Sequence, residues 1–76
     1  ILNGDYVIVD RKSTSVNGEI VVALIHKEYA TVKRFFNEDN NMIRLQPEND
    51  FLDPIMLNHK DVEVIGIVTG VFRVIK

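Results

Sequence analysis

The chain has 76 residues and a mass of 8.7 kDa, room for one hydrophobic core near the size at which such a core leaves little net stability after conformational entropy is subtracted, so residues 1–76 read as a single domain. Nine Lys plus Arg against eleven Asp plus Glu give a net charge of -2, without the basic excess of an autonomous nucleic-acid-binding domain. With no Cys, disulfides, zinc–cysteine centres and thiol catalysis are excluded.

Eleven Val and nine Ile against two Ala favour sheet over helix. The first residue is Ile1 and no leader pattern follows it, which reads as a segment of a longer chain. A strand is expected from Tyr6 to Val9 after the Asn3-Gly4-Asp5 turn. Arg11 to Val16, rich in Ser and Thr, reads as a connecting loop. Asn17-Gly18 supplies the turn before a strand from Ile20 to Ile25. His26-Lys27-Glu28 has the length of a hairpin connection, so Tyr29 to Phe35 should return antiparallel to the preceding strand. Asn37 to Asn41 is turn-forming, and Met42 to Gln46 is the next strand. Pro47-Glu48-Asn49-Asp50 ends it, because proline cannot donate to a ladder. A short strand from Pro54 to Leu57, a polar connection from Asn58 to Asp61, and runs at Val62 to Val68 and Val71 to Ile75 complete the chain. The less regular alternation of Val62 to Val68 suggests a strand covered on both faces. The expected fold is all-β: a small, strongly bent antiparallel barrel or sandwich-like domain of about seven short strands.

The longest nearly uncharged apolar stretch, Val64 to Phe72, is far short of the roughly 20 residues of a membrane-spanning helix. The Gly66 and Gly70 spacing within it reads as turn or bulge glycines. Neither phosphate-binding glycine motif is present. His26 and His59 fall in separate polar segments, outside any metal-ligand spacing, and read as solvated loop residues. Asp50 and Asp53 resemble a carboxylate pair, but the flanking Pro47 and Pro54 mark ordinary turn acids. Ser13 and Ser15 lack a glycine elbow and read as loop residues. No metal or cofactor is expected.

Lys33 is more informative. On a strand it shares a face with Tyr29, Thr31 and Phe35, a largely apolar setting. Two readings stay open from the pattern alone. One is a strand lysine whose stem lies along apolar surface with its head in water. The other is a lysine kept neutral by desolvation, able to take the proton of a serine hydroxyl as general base.

Three segments go further: Ile1-Leu2-Asn3-Gly4-Asp5-Tyr6-Val7-Ile8-Val9, Asn17-Gly18-Glu19-Ile20-Val21-Val22-Ala23 and Ala30-Thr31-Val32-Lys33-Arg34-Phe35. Together with Ile43 to Asn49, Pro54-Ile55, Val64-Ile65-Gly66 and Gly70 to Arg73, they closely resemble the C-terminal domain of LexA-type SOS repressors, in wording similar to that of Gram-positive bacteria. The resemblance runs in order along essentially the whole chain. It implies a LexA and signal-peptidase-like fold in a self-cleaving repressor, in which a Ser-Lys dyad cuts an Ala-Gly bond. It makes Lys33 the general base, with the serine a few residues before Ile1 and so absent from this sequence, which is therefore expected to be inactive by itself. It further implies a cytoplasmic homodimer paired through Val71, Phe72, Arg73, Val74 and Ile75, although a strand capped within one chain is equally compatible with the pattern. The implied partners are the recombinase filament on single-stranded DNA and, through a separate N-terminal domain, operator DNA. A UmuD-like translesion polymerase accessory subunit and a phage repressor share the domain and are the alternatives.

Overall fold

A computed structural model describes residues 5–11, 17–49 and 51–73. They form six strands: β1 (Tyr6–Asp10), β2 (Ile20–Ile25), β3 (Tyr29–Asn37), β4 (Met42–Gln46), β5 (Ile55–Asn58) and β6 (Val62–Phe72). The all-β expectation holds. All neighbours are antiparallel in one sheet ordered β1-β6-β2-β3-β4-β5. Among the described residues β1 and β5 are its two edges, so the sheet is open rather than a closed barrel.

The strand count of about seven becomes six because the two last runs are one strand. Gly70 is not a turn; it lies inside β6 opposite Ile8. The irregular alternation of this segment has a different cause from the expected two-sided cover. Val22 pairs with Gly66 and Ala23 with Val64, which leaves Ile65 extra. Ile8 pairs with Gly70 and Val9 with Val68, which leaves Thr69 extra. Two bulges thus reset the side-chain alternation of β6 and increase its local twist.

The hairpins follow their turn chemistry. His26 and Lys27 both have positive φ, 52° and 58°, and Glu28 N donates to Ile25 O at 3.0 Å, closing the β2–β3 connection. Asn40 and Asn41, at φ 62° and 60°, reverse the chain between β3 and β4. Asn tolerates this region better than most residues because its short side chain can hydrogen-bond locally. Gly18, at φ 88°, turns the chain into β2, and its N donates to Phe35 O at 2.8 Å. The polar Asn58–Asp61 connection contains a 3₁₀ turn (His59–Asp61), capped where Asn58 Oδ1 accepts from Lys60 N at 3.2 Å.

Register places the core on one face. Val21, Ala23 and Ile25 of β2 stand opposite Lys33, Thr31 and Tyr29 of β3 and opposite Ile67, Val64 and Val62 of β6. Phe35 continues the face to Leu45, and Leu45 and Ile43 continue it to Ile55 and Leu57. Val21, Ala23, Ile25, Phe35, Ile43, Leu45 and Ile67 are buried, with Ile55, Leu57, Val62 and Val64 packed against them. The other face carries polar pairs: Arg44 Nε bonds Glu38 Oε1 at 2.7 Å while its guanidinium lies 4.2 Å from the Phe36 ring centre. Arg34 Nε bonds Glu48 Oε1 at 3.1 Å.

Candidate active site

Lys33 reaches the core face because β3 is a regular strand whose odd-numbered residues from Tyr29 to Phe35 share one side. Its Cα partner is Val21, which is fully buried, and the next residue on its face toward β4 is the buried Phe35. The lysine is half-buried. Its Nζ donates to Thr31 Oγ1 at 2.7 Å and to Val32 O at 3.3 Å. No carboxylate pairs with it among the described residues. The amine is therefore fixed by neutral oxygens at the margin of an apolar surface. Thr31 was visible in the sequence as a neighbour on this face, but its hydroxyl as the anchor for Nζ was not; the spacing of two on a strand is the signal that brings them together.

The other candidates are not brought to Lys33. His26 lies in the β2–β3 connection with Nδ1 3.8 Å from Asp61 Oδ1, and its N donates to Asp61 O at 2.8 Å. This contact joins residues 35 positions apart and had no sequence signal. It borders a cavity of about 400 Å³ lined by Leu24, His26, Lys27, Lys60, Asp61 and Glu63. Leu24 alternates with Ala23 and Ile25, so this cavity opens on the face away from Lys33. His59 is exposed in the 3₁₀ turn, and no group of His, Asp or Glu suited to a metal occurs among the described residues. Asp53 is exposed in the loop before β5; Asp50, Ser13 and Ser15 lie outside the described residues.

At the other end of the sheet, Val71 and Phe72 pair with Val7 and Tyr6 of β1. The Tyr6 and Phe72 rings stack with centroids 5.2 Å apart. Arg73 grips Asp5 with two hydrogen bonds, Nε to Oδ1 at 2.7 Å and Nη2 to Oδ2 at 3.3 Å. The hydrogen bond and the charge of Asp5 raise the Arg73 guanidinium above its ordinary pKa. Val74 and Ile75 lie outside the described residues. The partner strands of β6 divide its length: β2 pairs with Val62 to Ile67, β1 with Ile67 to Phe72. From Val68 to Phe72 no described strand occupies the side of β6 opposite β1.

Residues 1–69 match the family described as Peptidase S24-like. The chain belongs to that family. Its relatives include the LexA repressor of Clostridioides difficile, 70% identical over 76 residues, which covers all of this chain and 36% of that protein. The LexA repressors of Lactobacillus delbrueckii subsp. bulgaricus and Alkaliphilus oremlandii are each 60% identical over 73 residues, 96% of this chain and 34% of theirs. This S24-like chain thus spans about a third of the length of the curated relatives it matches. No helix among its described residues is long and apolar enough to cross a membrane.

Proposed function

We propose that this S24-like chain is the self-cleavage and dimerisation domain of a cytoplasmic LexA-type SOS repressor, with Lys33 as the general base of its Ser-Lys dyad. The observation that carries the reading is the hydrogen bonding of Nζ to Thr31 Oγ1 and Val32 O. A neutral amine has two N–H bonds and one lone pair. With both N–H groups donated to these oxygens, the lone pair is left to accept a proton. When the cleavage loop of the full-length protein docks on this face, it removes water from the amine and disfavours the ammonium form. The serine hydroxyl, supplied from upstream of Ile1, then attacks the scissile Ala-Gly carbonyl as its proton passes to Nζ. The same proton moves to the leaving amine as the acyl-serine forms, and water completes the hydrolysis.

The names of the relatives favour a repressor over a polymerase accessory subunit. In that reading operator DNA is held by another domain, in keeping with the net charge of -2 here. Contact with the recombinase filament on single-stranded DNA promotes cleavage. The unoccupied side of β6 from Val68 to Phe72 supports strand pairing across a two-fold axis through Val71, Phe72 and Arg73. The test of the dyad is Lys33→Ala in the full-length protein. Self-cleavage at alkaline pH should fall by about 10²- to 10⁴-fold with the far-ultraviolet circular dichroism unchanged; undiminished cleavage would remove Lys33 from the mechanism.

A further inference from the structure

The turn before β2 carries chemistry that the Lys33 site does not use. The sequence has two Asn-Gly pairs: Asn3-Gly4, which lies outside the described residues, and Asn17-Gly18. An asparagine followed by glycine is especially prone to deamidation, because no β-carbon hinders the approach of the next backbone nitrogen to the side-chain amide. In that reaction Gly18 N loses its proton and bonds to Asn17 Cγ, while the side-chain nitrogen leaves as ammonia and a cyclic imide closes. Water then opens the imide at either carbonyl, giving aspartate or isoaspartate. Asn17 is exposed, so water reaches it.

The fold engages both reacting groups elsewhere. Gly18 N donates to Phe35 O at 2.8 Å, which commits its proton to the β3 backbone. Asn17 Oδ1 accepts from Asn37 N at 2.6 Å, which fixes the side-chain amide against the end of β3. Two further contacts hold the turn there: Arg34 Nη1 donates to Gly18 O, and Phe35 N donates to Glu19 O at 2.8 Å. Imide closure needs Gly18 N freed and Asn17 Cγ swung onto it, so the bonds to Phe35 and Asn37 must both break first. We infer that Asn17-Gly18 is a deamidation site held latent by the fold, one that reacts only in molecules whose turn has detached from the end of β3. The isoaspartate product carries an extra backbone methylene group, so the turn cannot regain both bonds in register. The ladder that starts with Ile20 opposite Arg34 and Val21 opposite Lys33 then loses its anchor. A brief local opening is thereby made permanent in the strand beside Lys33.

The test uses the full-length protein carrying this sequence, incubated at neutral pH either folded or unfolded in urea, then digested with trypsin and followed by mass spectrometry. Cleavage after Lys12 and Lys27 releases a peptide in which Asn17 is the only side-chain amide, so its mass gain reports this site alone. The folded protein should deamidate at Asn17 about 10-fold or more slowly than the unfolded one, since reaction waits on local opening. Arg34→Ala, which releases Gly18 O, should raise the folded-state rate about 2- to 10-fold and leave the rate in urea unchanged. Arg44→Ala removes the neighbouring ion pair to Glu38 without touching the turn and should leave both rates at the wild-type value. A folded wild-type rate equal to the rate in urea would overturn the inference, and this comparison stands even if Arg34→Ala fails to fold. Equal acceleration by Arg44→Ala and Arg34→Ala would trace the protection to global stability rather than to the turn, and would overturn it too. These readouts are independent of the role proposed for Lys33.

Discussion

The two halves of the sheet are built differently. From β2 through β5 the registers run without a break, and alternate residues collect on one face into the buried cluster that flanks Lys33. Between β1 and β6 the register shifts, the large side chains Tyr6, Ile8, Val71 and Phe72 are about half exposed, and a ring stack and an ion pair join the strands. The first half holds Lys33, the proposed general base, in a fixed place by burying its neighbours. The second buries little and leaves an edge that a second chain can use. The contrast implies that stability resides mainly in the β2–β5 half, whereas the β1–β6 end depends on a few close backbone approaches.

The largest test of that contrast is Leu45→Ala. Leu45 is fully buried at the junction of β3, β4 and β5. Deleting a buried leucine side chain to its Cβ costs about 2–5 kcal/mol through lost transfer free energy and the cavity left behind. Urea unfolding should show this as a fall in midpoint with unchanged slope. A loss below about 1 kcal/mol would mean that the β2–β5 half is not the stable one.

Gly66→Ala probes the other half and should cost less, about 1–3 kcal/mol. A Cβ on Gly66 would lie 2.4 Å from Val9 Cγ1 and 2.7 Å from Asp10 O. The valine side chain can rotate, but the carbonyl belongs to β1 itself, so the strand must shift. Amide hydrogen exchange should rise in β1 and in β6 beyond Ile67 while β3 and β4 keep their protection. Uniform loss of protection across all six strands would show that the two halves unfold as one unit.

Legibility in the sequence divides the molecule in the same way. Ile20–Ile25 and Met42–Gln46 are bounded in the sequence by turn chemistry, Asn17-Gly18 and His26-Lys27-Glu28 around the first, Asn37 to Asn41 and Pro47 around the second. The face shared by Tyr29, Thr31, Lys33 and Phe35 was legible from a period of two. β6 was not, because bulges at Ile65 and Thr69 interrupt that period and Gly70 resembles a turn residue when its neighbour Ile8 is out of view. The Lys33 site was legible as a position and as a family resemblance, but the hydrogen bond to Thr31 depends on the rotamers of two side chains, which no pattern of residue types specifies. The contact between His26 and Asp61 depends on how the 3₁₀ turn brings the chain back beside the β2–β3 connection, a tertiary placement invisible along the chain.

The smallest effect tests whether the regular half is also free of local strain. Lys27 sits at φ 58° in the β2–β3 connection, where a β-carbon approaches the following carbonyl oxygen and glycine has no such cost. The lysine is exposed and closes no core contact. Lys27→Gly removes the steric cost of the left-handed conformation and adds some backbone freedom to the unfolded chain, so the net gain should be about 1 kcal/mol or slightly less. The urea midpoint should rise accordingly, with the β1–β6 exchange pattern untouched. An unchanged or lower midpoint would mean that the ammonium side chain stabilises the connection through Asp61 or Glu63, which line the same cavity. That outcome would make the hairpin tip, like the β1–β6 end, a place where surface charge rather than burial holds two strands together.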